Sequence, residues 1–190
     1  AVALSVEDDI AVLTLNRPET LNALNDAMFR EIPVAVAQAA TRGARALVLT
    51  GAGRGFCSGA DLVGRKMAAP ATAEERERNN RIGFERVIST VRALHEAPMP
   101  VVCAINGVAA GGGVGLALAG DVILMSSTAR FVLTFVPKLG IVPDVGVTWL
   151  MSRMIGRARA MAVSLLGEPI SAQDAERWGL VWKLCEEGHV

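Results

Sequence analysis

The chain has 190 residues, 19 of them Lys or Arg and 19 Asp or Glu, so its formal net charge is zero. That balance excludes a nucleic-acid binder built on a basic face, because phosphate contacts need clustered surplus cations. With 52% hydrophobic and 20% charged residues the composition is that of a folded globular chain, and the absence of Tyr removes any phenolic acid, base or nucleophile.

The opening run AVALSVEDDI lacks the basic start and long apolar stretch of a secretory signal. The three cysteines, Cys57, Cys103 and Cys185, are far apart and only His95 and His189 accompany them, so neither a zinc site nor a disulfide framework is expected. A reducing cytoplasm is the expected compartment. Ile10–Leu15, Ala46–Thr50, Val101–Ile105 and Asp121–Met125 read as short strands apolar on both faces, the kind found in sheets covered by helices. Asn25 or Asp26 caps a helix running to about Ala40, with Pro33 expected to kink it. Met67–Ala73 is small and Pro-containing and reads as a surface connection. The helix that follows, Glu74–His95, spaces Phe84, Val87, Ile88, Val91 and Leu94 along one face. A third helix spans about Gly113–Ala119. After Asp144 the chain reads as helical to its end, with Ser171–Asp174 as a capping box. Strand alternating with helix predicts an α/β fold with mainly parallel pairing, in one domain and without a sequence repeat.

Met99–Gly120 carries no charge and imitates a membrane span, but six glycines and Asn106 divide it into strand, turn and helix, so no membrane partner is expected. Two glycine-rich loops follow strands: GAGRGFCSGADL at Gly51–Leu62 and NGVAAGGGVG at Asn106–Gly115. Neither is a nucleotide loop. The GxGxxG spacing fails at Phe56 in the first and at Leu116 in the second, and no GK[ST] is present. Glycines of this kind either permit tight turns or let backbone N–H groups approach a ligand, and two converging loops would supply the paired donors that an oxyanion requires.

The residues that carry a resemblance are NRPETLNALN at Asn16–Asn25, GAGRGFCSGADL, and the run from Pro98 to Gly113. LGIVPDVGVTWL at Leu139–Leu150 and GRARAMAVSLLGEPISAQDAERWGLVWKL at Gly156–Leu184 extend it over essentially the whole chain. On these motifs the sequence resembles the enoyl-CoA hydratase/isomerase (crotonase) superfamily. The IVPD segment and the tail are most similar to the ring-epoxide isomerases of phenylacetyl-CoA breakdown and to Δ3,Δ2-enoyl-CoA isomerases. The resemblance implies a crotonase-like spiral of ββα turns and an acyl-CoA thioester substrate. It implies an oxyanion hole made by the backbone N–H groups of Ala60 and Gly112. It places Asn22, Ala23, Leu24, Ser58, Gly59, Asp61, Leu62 and Gly111 along the CoA and acyl path. CoA is then a substrate carrier, with no metal or redox cofactor. A homotrimer or hexamer is implied, and so is a further helical segment, beyond the WGLVWKL region, that this chain lacks.

Between Ala97 and Gly167 the only acidic residues are Asp121 and Asp144. Asp121 opens a strand and reads as a turn cap or partner of an Arg. Asp144 stands among Ile141, Val142, Pro143, Val145, Val147 and Trp149, where it reads equally as a turn cap or as a proton carrier with a raised pKa. The resemblance assigns it the acid/base role of the isomerase branch. In the hydratase branch two glutamates hold water, and their positions fall at Gly115 and near Phe135 or Val136, which cannot transfer a proton. Asp61 is the rival base but is expected to brace loop backbone. Cys57 reads as a packed residue, His95 as a surface one. Val147 stands where the similar proteins have glycine, and is expected to reshape the acyl pocket.

Overall fold

The computed structural model describes residues 1–62 and 72–190. The connection expected at Met67–Ala73 therefore lies, as far as Ala71, outside the described residues. Two antiparallel strands open the chain, β1 (Val2–Glu7) and β2 (Ile10–Leu15), and helix α1 (Asp26–Thr41) packs on them. Asn25 is the α1 cap, its side chain accepting the Met28 N–H at 3.0 Å. The helix continues through Pro33, because Met28, Ile32, Ala35, Val36 and Ala39 form one buried face whose packing outweighs the lost N–H.

Three turns of the same pattern follow, each with one strand in each of two sheets and then a helix. They are β3 (Ala46–Gly51), β4 (Gly55–Cys57) and α2 (Ala73–His95); β5 (Val101–Ile105), β6 (Val108–Ala110) and α3 (Gly112–Leu118); and β7 (Val122–Ser126), β8 (Arg130–Val132) and α4 (Val147–Leu166). A large sheet runs β1-β2-β3-β5-β7-β10 and a small one β4-β6-β8-β9, parallel except at β1/β2 and β8/β9. This is the expected α/β spiral of ββα turns.

The tail departs from a continuous helical reading. Gly156 breaks α4 with non-helical angles, β9 (Ile170–Ser171) joins the small sheet, α5 (Ala172–Trp178) follows, and β10 (Lys183–Cys185) closes the edge of the large sheet beside β7. Ser171 does cap α5, accepting the Asp174 N–H at 3.0 Å, but Asp174 receives the Ser171 hydroxyl rather than the cap's own N–H. The core lies between the sheets and helices, with Leu13, Leu15, Leu47, Leu49, Ile105, Phe56 and Phe131 fully buried. Among the described residues no helix is long and apolar enough to cross a membrane, no group of His, Cys, Asp and Glu has the geometry to hold a metal, and no buried side-chain polar atom lacks a partner.

Candidate active site

The loop after β2 is fixed by backbone bonds from one buried amide. Asn22 Nδ2 donates to Ala52 O (2.9 Å) and Gly55 O (2.8 Å), and its Oδ1 accepts the Arg17 N–H (2.9 Å). Asn22 is expected along the CoA path, but it is fully buried with its amide committed to three backbone partners; it shapes the loop. Leu21 and Asn22 are both left-handed, with φ of 52° and 57°, a conformation that such bonds must hold in place.

The next step brings the first glycine loop alongside. Leu24 and Ala60 form a parallel bridge, in which the Leu24 N–H donates to Gly59 O (2.7 Å) and the Asp61 N–H donates to Leu24 O (2.9 Å). In such a bridge the central residue's own N–H points to the other side. That side faces the second glycine loop. Gly59, at φ 90°, passes so near it that a Cβ there would stand 2.8 Å from Ala110 O and 3.3 Å from Gly112 N. Gly111 is left-handed too, and Gly112 begins α3, where an N–H has no acceptor within the helix. Among the described residues, neither the Ala60 N–H nor the Gly112 N–H donates to a protein acceptor. Two unspent backbone donors therefore sit where the two loops meet. Ser58 lies beside them, half-buried, donating its hydroxyl to Thr20 O (2.9 Å); Ala23 and Leu24 are buried and Leu62 is exposed.

Asp144 arrives from a third segment. Its neighbour Val145 has φ 50°, a true outlier for a β-branched residue, worth of the order of 1 to 3 kcal/mol of strain. Packing holds it there: Val145 is buried against both Gly112 and Gly115, and a Cβ on Gly115 would stand 2.7 Å from Val145 Cβ and closer still to Val145 O. Position 115 is thus more than a missing carboxylate. It is the gap into which the Asp144 turn settles. The Asp144 residue remains exposed overall, yet desolvation of its carboxyl raises the pKa above the ordinary value, opposed by a hydrogen bond from its own backbone N–H. Phe135 and Val136, near which the second hydratase carboxylate would fall, lie in a π-helical turn, Phe135–Leu139, the first buried and the second half-buried.

The remaining candidates fall into structural places. Asp121 accepts the Val101 N–H at 2.8 Å and so ties β5 to β7. Asp61 Oδ2 pairs with Arg17 Nη1 at 2.9 Å, and that guanidinium also reaches Ala23 O (2.6 Å) from the adjoining loop. Cys57 is fully buried, and burial pushes its thiol up to about 12, which removes it as a nucleophile. His95 is exposed, edge-on to Trp149 at 5.5 Å. Val147 is fully buried in the core at the start of α4. A cleft of about 430 Å³ between β7 and the tail is lined by Asp121 but by none of the residues of the two glycine loops or the Asp144 turn, and a smaller one beside α1 contains none of them either, so the meeting of those loops with the Val145 turn, rather than cavity size, marks the site. Arg17 and Val145 escape a reading by motif. The available signal for Arg17 is that it is the sole cation between Ile10 and Asn25.

The family model for enoyl-CoA hydratase/isomerase matches residues 5–190. The chain is 45% identical over 184 residues to 1,2-epoxyphenylacetyl-CoA isomerase of Escherichia coli K12, covering 96% of this chain and 68% of that one. Among solved structures it superposes on an enoyl-CoA hydratase from Mycobacterium avium subsp. paratuberculosis with a TM-score of 0.84 at 36% identity, covering 98% of this chain and 68% of that one. An enoyl-CoA hydratase from Mycobacterium smegmatis gives 0.85 at 30% identity, with 98% and 70% covered. With two ββα loops converging on unspent backbone donors and a match over nearly its whole length, the chain belongs to the enoyl-CoA hydratase/isomerase (crotonase) family.

Proposed function

We propose that the protein is an acyl-CoA isomerase that holds a thioester enolate at the Ala60 and Gly112 N–H groups and uses Asp144 as its only proton carrier. The observation that carries this reading is the packing of Val145, the residue next to Asp144, against Gly112 and Gly115, while positions 115, 135 and 136 hold no acid. The ionised Asp144 removes a proton from the carbon next to the thioester carbonyl. The C–H electron pair moves into the enolate, whose oxygen accepts both backbone N–H bonds. When the carbonyl re-forms, the double bond shifts by one position and the carbon two places along takes the proton back from Asp144. Nothing is oxidised, no water is added, and the carboxylate is regenerated. Applied to a ring epoxide next to the same carbonyl, the enolate and the carboxyl would open the strained ring, and the likeness to the Escherichia coli isomerase supports this substrate class.

A raised carboxyl pKa brings donor and acceptor strength closer together near neutral pH. CoA enters as part of the substrate, with no metal or redox cofactor, and a homotrimer or hexamer belongs to the same reading. The test offers 2-enoyl and 3-enoyl CoA esters in D2O to wild type and to Asp144→Asn. Isomerisation with solvent deuterium incorporated, lost in the variant, is the expected result. Net addition of water that survives the substitution would establish a hydratase instead, and tight binding of CoA esters without turnover would establish a binding protein.

A further inference from the structure

Arg17 lies outside the site as described so far, yet its guanidinium joins the two segments that present the Ala60 N–H. Nη1 donates to Ala23 O at 2.6 Å on one side and pairs with Asp61 Oδ2 at 2.9 Å on the other. These residues directly flank the Leu24–Ala60 bridge, Ala23 preceding Leu24 and Asp61 following Ala60. The Arg17 main chain is fixed as well, with its N–H on Asn22 Oδ1 and its carbonyl accepting the Asn22 N–H at 2.8 Å and the Thr20 N–H at 3.1 Å. Both partners of the ion pair are screened from water, the Arg17 side chain being 19% exposed and that of Asp61 10%. Glu19, 3.9 Å from Arg17 Nε and 68% exposed, is a loose third member. A bridge of two hydrogen bonds leaves a peptide free to tilt about the line joining them; a charged clamp on the next residue removes that freedom.

We propose that Arg17 is a positioning residue: through Asp61 and Ala23 it sets the direction of the Ala60 N–H toward the thioester oxygen. The inference rests on the oxyanion-site reading above. Arg17 touches no reacting atom, and its effect is on polarisation of the carbonyl rather than on whether a CoA ester binds.

The measurement is the isotope-edited infrared carbonyl stretch of butyryl-CoA labelled with 13C at the thioester carbon, a saturated ester with no double bond to move. Wild type is expected to shift the band to lower frequency on binding. In Arg17→Gln/Asp61→Asn, which removes both charges together, that shift falls by half or more, and kcat falls about tenfold to a hundredfold, less than deletion of an oxyanion donor, while KM stays within threefold. Asp61→Asn alone keeps Arg17 on Ala23 O, is nearly isosteric, and gives a smaller loss of the same kind; it carries the test if the double variant does not fold. A folded variant with the full wild-type band shift and kcat overturns the positioning role, leaving Arg17 a structural residue. A wild-type complex with no band shift overturns the oxyanion-site reading itself, so the two failures are told apart.

Discussion

Gly115→Ala tests whether the approach of the Asp144 turn to α3 sets the catalytic geometry. The added Cβ would stand 2.7 Å from Val145 Cβ and 2.9 Å from Val145 C, with Val145 O nearer still, whereas ordinary contact begins near 3.4 Å. From the Cβ contact alone the turn must withdraw by about 0.7 Å, and by more to clear the carbonyl oxygen. Gly115 is helical and the atoms met are the carbonyl group and Cβ of Val145, which no side-chain rotation moves. Overpacking of this kind destabilises by about 1 to 3 kcal/mol. For a chain of this size that lowers Tm by roughly 2 to 12 °C. Since a displacement of about 1 Å at a reacting group is worth of the order of a hundredfold, kcat should fall by that order. The Ala60 and Gly112 donors stay in place, so affinity for a saturated CoA ester should change less than fivefold. Isomerisation of a 3-enoyl CoA ester followed by absorbance, calorimetric Tm and ester binding give the three readouts. Gly83→Ala is the control: Gly83 lies in α2 with nothing within 4 Å of an added Cβ, and should stabilise by about 1 kcal/mol through helix propensity. Wild-type kcat and Tm in Gly115→Ala would refute the idea that this gap seats Asp144.

Asp144→Asn should abolish turnover without lowering Tm at neutral pH. A carboxyl whose folded pKa is raised favours the folded state when protonated and penalises it once ionised, so the amide removes a penalty present above the folded pKa. In wild type, kcat/KM should rise with pH along a limb displaced above the usual carboxylate range, and a limb at or below that range would contradict the desolvated setting. Asn22→Ala should cost about 3 kcal/mol in a denaturant titration, since it strands the Arg17 N–H and the Ala52 and Gly55 carbonyls; a loss under 1 kcal/mol would show the loop is held by other means. Thiol titration of the native protein at pH 8 should modify Cys185 alone, because Cys57 and Cys103 are fully buried with pKa values of about 12 and expose roughly one thiolate in ten thousand, whereas all three react after denaturation.

How far the fold is legible depends on element length. Ile10–Leu15 and Val101–Ile105 stand as strands at the bounds their apolar runs mark, and Asn25 caps α1 as an Asn before an apolar face should. β1 escapes because its VALSVE alternation belongs to an edge strand with only one half-buried face. β4, β6 and β8 have three residues each, too few for any period to register, and they sit inside or beside the glycine loops that read as turns. The ββα repeat is hidden for a related reason. Its three helices have 23, 7 and 20 residues, so equivalent positions share no fixed spacing.

The site is legible in its residue types and not in its contacts, and the difference is where the chemistry resides. A glycine at 115 reads as a lost carboxylate; in three dimensions it admits Val145, and a carboxylate there and the Asp144 turn as it stands exclude one another. An acid at 61 reads as a loop brace; it also pairs with a guanidinium 44 positions earlier, a pairing no local spacing contains. Positive-φ backbone at Leu21, Asn22, Gly59, Gly111 and Val145 gathers around the two unspent donors from four separate points of the chain. Three of those five residues are not glycine, so composition does not mark them, and each is kept in an unfavourable conformation by bonds or packing from another segment. Strain maintained at convergent points is what a donor pair requires, since N–H groups left free in relaxed loops would turn to the nearest carbonyl. The proposed single-carboxylate mechanism therefore depends on Gly115, Val145 and Arg17 keeping three segments from relaxing as well as on the Asp144 carboxylate itself.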